Sequence, residues 1–298
     1  MIYAGINGEV IPADQVTVSI MDHGLLYGMG LFETFRTYGG TPFLLDRHVE
    51  RLIESCRLIG IQYEPDIAHL RSWISRLLEA NGWQEAYIRF TVTAGADVLG
   101  LPGGVYKEPQ QLILAKPLPE IPDSVYRQGK ALQLLKTPRN TPETQWRLKS
   151  LHYMNNIMAK RELQSYPEAC ALQAEGCMLT GSGELAEGIV SNLFFIKDDI
   201  LCTPDLGTGI LPGITRAVVM ELAREQGITV SEGRYRWQDL LDAQEVFSTG
   251  SVQELMPITT LLAPEASPVI VGHGLAGPLT EQLRNAYRRL TGRKQDES

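Results

Sequence analysis

Three prolines within six residues, in Lys116-Pro-Leu-Pro-Glu-Ile-Pro122, deny that segment both a helix and a central strand. The 298-residue chain is therefore expected to divide there, into a smaller part over residues 1–118 and a larger one over 119–298. Each part is long enough to bury a core of its own. In the first, Phe32 to Tyr38 alternates toward a Gly39-Gly40 turn and Thr41 to Leu45 returns, a hairpin signal. Asp46 is expected to cap a helix in which Val49, Leu52, Ile53, Cys56 and Ile59 recur at helical spacing. A second stripe, Ile67, Leu70, Trp73, Ile74, Leu77 and Leu78, ends at Asn81-Gly82. Tyr87 to Thr93 and Gln111 to Ala115 read as strands joined by a Gly-rich stretch from Gly95 to Gly104.

The larger part opens with a strand around Ala131 to Leu135 and a helix from about His152 to Leu163. Short strands from Ala169 to Thr203, a helix from about Thr215 to Gln226, strands near Thr229 and Glu245, and a last helix from Leu279 to Leu290 follow. That order lacks regular βαβ units, so the fold class is mixed α+β rather than a doubly wound sheet.

Composition narrows the function. A 44% hydrophobic, 21% charged chain is globular, and a net charge of −8 argues against a nucleic-acid binder. The four cysteines form no C-x-x-C pair and the five histidines are scattered, so reduced thiols and no metal site are expected. The N-terminal MIYAGINGEV resembles no secretory signal and no apolar run is long enough to span a membrane, which makes the cytoplasm the default. The 27 basic residues divide into eight lysines and nineteen arginines, so a reactive amine has few candidates.

Gly272-His-Gly274-Leu-Ala-Gly277 matches G-x-G-x-x-G, but the chain ends where a second strand with an acidic residue should follow. It reads as a turn into the last helix. A different constellation is more specific: Leu185-Ala-Glu187-Gly-Ile-Val-Ser191-Asn192-Leu-Phe194, then Leu201-Cys-Thr203, then Leu211-Pro-Gly213-Ile214-Thr215-Arg216. These elements, at these spacings, resemble the class IV aminotransferase family of fold-type IV pyridoxal-phosphate enzymes. A carboxylate can hold the cofactor's ring nitrogen protonated, which is the role the resemblance implies for Glu187, with Asn192 beside it. Gly213-Ile214-Thr215 opens a helix whose free N–H groups suit a phosphate dianion. The resemblance adds Ser251, Val252 and Arg51 to that phosphate set. It also makes Lys149, in Arg147-Leu-Lys149-Ser-Leu-His-Tyr153, the Schiff-base lysine and proton-transfer base, with Tyr153 near the cofactor's phenolic oxygen.

Within the family, Met21 to Arg36, Arg139 to Glu143 and Arg147 to Ser150 most resemble the bacterial aminodeoxychorismate lyases. Branched-chain aminotransferases typically carry Gly at the position of Thr34 and Pro at that of Phe90. D-amino-acid transaminases usually place a basic residue where this chain has Ala94. The resemblance thus implies conversion of 4-amino-4-deoxychorismate to 4-aminobenzoate and pyruvate in folate biosynthesis, with Thr34 assisting proton delivery to the leaving group. A dicarboxylate substrate in an acidic protein needs local cations; Arg36, Arg89 and Arg147 are the candidates, with Tyr27 also at the substrate. A homodimer with shared active sites is implied too. Two alternatives stay open: an aminotransferase of D-amino or branched-chain amino acids, and a non-catalytic relative that keeps the fold.

Overall fold

The structure is a computed structural model that describes residues 2–118 and 120–292. The chain divides into two compact units, Met1–Pro119 with Leu148–His152, and Glu120–Arg147 with Tyr153–Ser298. The short segment around Lys149 thus groups with the first unit.

The first unit contains β1 (Tyr3–Ile6), β2 (Glu9–Pro12), α1 (His23–Tyr27), β3 (Gly30–Tyr38), β4 (Thr41–Pro42), α2 (Leu45–Leu58), α3 (Ile67–Asn81), β5 (Ala86–Thr93) and β6 (Gln110–Pro117). Its six strands form one sheet in the order β2-β1-β6-β5-β3-β4. Alternation gives β3 and β5 two unlike faces. Leu31, Phe35, Ile88, Phe90 and Val92 enter a core with the predicted stripes of α2 and α3, among them Leu52, Trp73, Ile74 and Leu77. The opposite face carries Phe32, Thr34 and Arg36, which pair across the ladder with Thr91, Arg89 and Tyr87.

On the helix side one polar group interrupts this apolar packing. Glu33 is 2% exposed and accepts from Arg51 Nε at 2.8 Å, Arg51 Nη2 at 2.6 Å and His48 Nδ1 at 2.6 Å. Burial pushes its carboxyl up, but the Arg51 guanidinium and the His48 hydrogen bond outweigh that and hold it at about 2. Burial also pushes His48 down.

Two local expectations are corrected. Asp46 is not the cap of α2: the N-cap is Leu44, in a left-handed conformation at φ 53°, and the Asp46 carboxylate instead takes Arg71 Nη2 from α3 at 2.7 Å. Pro117 does lie in a strand, because β1 pairs with β6 only at Leu112 and Ile113, so at Pro117 only β5 is a neighbour. Leu118 N then donates to Glu85 O at 3.0 Å, carrying the ladder past it. Pro119, within the proline-rich segment, lies outside the described residues.

The second unit contains α4 (Asp123–Gln128), β7 (Lys130–Leu134), α5 (Met154–Leu163), α6 (Pro167–Ala171), β8 (Glu175–Leu179), β9 (Leu185–Gly188), β10 (Asn192–Lys197), β11 (Ile200–Pro204), α7 (Ile214–Glu225), β12 (Val230–Gly233), α8 (Trp237–Leu241), β13 (Glu245–Gly250), β14 (Glu254–Leu262), β15 (Val269–Ile270) and α9 (Pro278–Leu290). Eight strands run β12-β11-β10-β13-β14-β7-β8-β9, with β15 on β14. Residues around Ala169, expected to begin a strand, form α6, which Pro167 starts at its first turn. Strand β14 is not among the sequence-based expectations, and its Pro257 argues against a central strand. Pro257 sits opposite Phe247 just before the parallel pairing with β7 begins at Ile258, so only one ladder passes it.

The Gly272–Gly277 loop is a turn into α9, as expected. A Cβ at Gly277 would collide with the Glu245 carboxylate, which itself accepts from Leu279 N at 3.0 Å and Thr280 N at 2.7 Å. The anion at this helix start is the protein's own side chain.

The Glu33 joint gives stability a defined pH dependence. Its carboxyl is depressed from an ordinary 4.5 to about 2, so its contribution is complete above 4.5 and is lost as pH falls toward 2. Urea midpoints measured across that window should fall less steeply in Glu33→Gln than in the native protein. Parallel curves would mean that the ion pair does not stabilise the fold.

Candidate active site

The sheet face of the first unit turned away from α2 and α3 gathers several of the residues named from sequence, with Phe32 and Arg36 buried. Thr34 and Arg89 are direct cross-strand partners, both half-buried. Residues 148–152 lie along β3: Phe32 N donates to Lys149 O at 2.9 Å, and Leu151 N to Gly30 O at 3.0 Å. This fixes the lysine's backbone against the strand that carries Thr34. Lys149 Nζ stands 4.7 Å from the centroid of the Phe32 ring, and Arg89 Cζ stands 3.5 Å from it. An amine and a guanidinium thus share one aromatic surface.

Arg36, on the same face, stacks on Tyr38 at 4.4 Å and pairs with Glu85 at 3.3 Å. Tyr27 lies at the end of α1, where its hydroxyl accepts from Gly100 N at 3.0 Å and its carbonyl oxygen lies 3.1 Å from His152 Nε2. Gly28, at φ 70°, has no room for a Cβ against His152. Arg51 faces the other side of β3, where Glu33 orients its guanidinium.

In the second unit the arrangement centres on Glu187, which is 4% exposed. Its Oε1 accepts from Arg139 Nε at 2.8 Å, and its Oε2 from Leu211 N at 2.9 Å and Asn192 Nδ2 at 3.4 Å. A carboxylate has about four lone-pair directions, so these three donors leave acceptor capacity for one more. Arg139 is itself held by Asn155 Oδ1 at 2.7 Å and Asn156 Oδ1 at 3.2 Å. Asn192 also donates to Leu211 O at 2.9 Å, and a Cβ at Gly213 would collide with its Oδ1. Gly213 is the N-cap of α7 and provides no side-chain cap, so Ile214 and Thr215 begin a helix whose first amides point outward from its end.

Beside this helix start, Thr249 stands directly opposite Asn192 in the ladder. Its buried hydroxyl has no hydrogen-bond partner among the described residues, which marks a place for an acceptor or donor from a ligand. Ser251 and Val252 lie in the turn that follows β13. Tyr153 is the N-cap of α5.

Arg147 differs from the other two candidate substrate arginines. Its Nε donates to Gly209 O at 2.5 Å, its Nη2 to Asn140 O, and it lies 3.7 Å from Glu187. Burial, then the Arg139 charge, pull its pKa down to about 10 against the opposing pull of Glu187. Arg139, which lies in a stretch noted only for its likeness to the lyases and is not among the site residues named from sequence, is what holds Glu187. Its neighbours Asn140, Thr141 and Pro142 look like loop residues, and only the fold brings it to a glutamate 48 positions away. Among the described residues no group of three or more His, Cys, Asp or Glu could hold a metal ion, and no helix is long and apolar enough to cross a membrane.

Known proteins share this architecture. An aminodeoxychorismate lyase of Bacillus subtilis is 39% identical over 263 residues, 88% of this chain and 86% of its own length. The crystal structure of a 4-amino-4-deoxychorismate lyase from Pseudomonas aeruginosa superposes with a TM-score of 0.81 at 30% identity, covering 96% of this chain and 98% of that one. That of a T.th. branched-chain amino acid aminotransferase with pyridoxamine 5'-phosphate gives a TM-score of 0.84 at 28% identity, covering 99% and 96%. The family description "Amino-transferase class IV" matches residues 30–261, well over half of the sequence, and the chain belongs to that family.

Proposed function

We propose that this chain is a pyridoxal 5'-phosphate enzyme that converts 4-amino-4-deoxychorismate to 4-aminobenzoate and pyruvate. The residues present suit the cofactor. The uncapped start of α7, the Gly213 position that admits no side chain, and the unpartnered Thr249 hydroxyl together fit a phosphate. When bound, the protonated pyridine ring supplies an electron sink for charge developing at the substrate's nitrogen-bearing carbon.

The chain's own residues then divide the work. Ile214, Thr215, Ser251 and Val252 would hold the phosphate and Tyr153 would serve the phenolic oxygen, whereas Arg51, named for the phosphate from sequence, is engaged by Glu33 on the helix side of β3. Glu187, fixed by Arg139 and Asn192, would accept from the protonated ring nitrogen. Lys149 would anchor the cofactor through its amine and take the proton from the substrate carbon. Thr34 assists delivery of a proton, the one Lys149 has taken, to the departing enolpyruvyl group, so no net proton is drawn from its hydroxyl.

The observation that carries the lyase reading is the place of Thr34. It is half-buried on the sheet face away from α2 and α3, two residues from the ring beside Lys149 and directly across from Arg89. A hydroxyl there serves an elimination, whereas transamination needs none. Arg36 and Arg89 on that face suit the two carboxylates of the substrate, and Arg147, engaged on backbone carbonyls, suits a scaffold for the Glu187 region. Exposed Ile20, Leu25, Leu99 and Leu101 leave apolar surface that a second copy would cover in a homodimer. The second reading, an aminotransferase of branched-chain or D-amino acids, draws on the likeness to the pyridoxamine-phosphate-bound relative.

Purified protein given aminodeoxychorismate without a keto acid should release 4-aminobenzoate and pyruvate in equal amounts. Turnover only when an amino donor and a keto acceptor are both supplied would establish the transaminase reading instead. Borohydride reduction of the holoenzyme followed by peptide mapping should place the pyridoxyl group on Lys149; a label on another lysine removes that assignment. Thr34→Val should lower kcat for elimination by about 10²-fold, the scale of a lost proton-transfer group, while cofactor affinity stays unchanged. Undiminished turnover would make Thr34 a strand residue only.

A further inference from the structure

The turn after β13 is built in an unusual way. Gly250 pairs with Glu254, so three residues, Ser251 to Gln253, connect β13 to β14. Loops of that length commonly close with a residue in the left-handed region, where Gly is favoured. Here the residue is Glu254, at φ 60°, and it is 0% exposed. A buried carboxylate on a strained backbone persists only where its surroundings over-determine it, and such positions cluster at functional sites.

The surroundings come from two helices of the same unit. Arg288 of α9 places Nε 3.6 Å from Glu254 Oε2 and donates through Nη1 to Asp123 Oδ1 of α4 at 2.8 Å. Arg284, one turn earlier, lies 3.5 Å from the same Asp123 oxygen. Both guanidinium groups stack on Tyr126, at 4.8 and 5.1 Å, and the Tyr126 hydroxyl donates to Gln253 O at 3.4 Å. The turn is therefore gripped at its last carbonyl and at the side chain that follows it.

We propose that Glu254, held by Arg288, is a positioning residue that fixes the Ser251–Gln253 turn so that the Ser251 hydroxyl and the Val252 amide meet a phosphate-bearing cofactor. This rests on the reading that those two groups touch the phosphate. A glycine at 254 would form the turn with less strain but would give α9 nothing to hold. The buried glutamate trades local ease for a fixed direction of the two donors.

The test compares a ligand with the phosphate to one without it. Full-length protein freed of cofactor is titrated with pyridoxal 5'-phosphate and, separately, with pyridoxal, for the native chain, Ser251→Ala, Glu254→Asn and Arg288→Gln. Asparagine tolerates the left-handed backbone, so Glu254→Asn removes the ion pair while keeping the turn accessible. Arg288→Gln removes the same pair from the helix side if the first variant does not fold. Both, like Ser251→Ala, should weaken pyridoxal phosphate by about tenfold or more and pyridoxal by less than about twofold. Equal weakening of both ligands, or no change in either, would overturn the proposal and leave the pair a folding contact. If Ser251→Ala itself leaves the ratio of the two affinities unchanged, the phosphate reading of the turn fails and the proposal falls with it. A shift in Ser251→Ala alone would overturn only the part assigned to Glu254 and Arg288.

Discussion

The second unit is organised around the need to keep one buried carboxylate satisfied. An isolated charge in a protein interior is strongly unfavourable, and Glu187 avoids that state by drawing donors from four places: Arg139 after β7, Leu211 before α7, Asn192 at the start of β10, and Arg147 as a more distant cation. Each donor is anchored in turn. Arg139 is fixed by Asn155 and Asn156 of α5, and Asn192 stands where Gly213 allows the start of α7 to approach. The carboxylate and the helix terminus are thus parts of one hydrogen-bonded assembly, so the position of one sets the position of the other.

The first unit meets a different constraint, that one strand must serve two environments. Odd-numbered residues of β3 face α2 and α3, where Leu31 and Phe35 pack and Glu33 is neutralised by Arg51 and His48. Even-numbered residues take the other face with buried Phe32 and Arg36 and half-buried Thr34, and Lys149 runs alongside. The period of two in a strand places the core residues and the candidate site residues on opposite faces. A one-residue slip in register would exchange them.

Much of this is legible in the sequence where the information is local. The stripes that become α2 and α3, the Gly82 stop, the Gly277 turn into α9, and the linked Glu187, Asn192 and Thr215 segments are each written within a few turns of chain. What is not legible depends on partners far away in sequence. Asp46 looks like a cap until Arg71 is seen to take its carboxylate. Pro257 argues against β14 until the neighbouring ladder is seen to begin one residue later. Arg139 lies in a stretch noted only for its likeness to the lyases, and its contact, a glutamate 48 positions away on β9, is seen only in the fold. The three arginines that composition leaves equivalent separate only through their contacts: Arg36, buried against Glu85 and Tyr38, and half-buried Arg89 share one face of β3 and β5, and Arg147 lies on backbone carbonyls.

The central claim is that Glu187, held in place by this network, keeps the cofactor's ring nitrogen protonated. Nitrogen-15 NMR of protein reconstituted with ring-labelled pyridoxal 5'-phosphate reads that proton directly. The native protein should show the shift of a protonated ring nitrogen at neutral pH, and Glu187→Gln that of an unprotonated one. The same shift in both proteins would contradict the account.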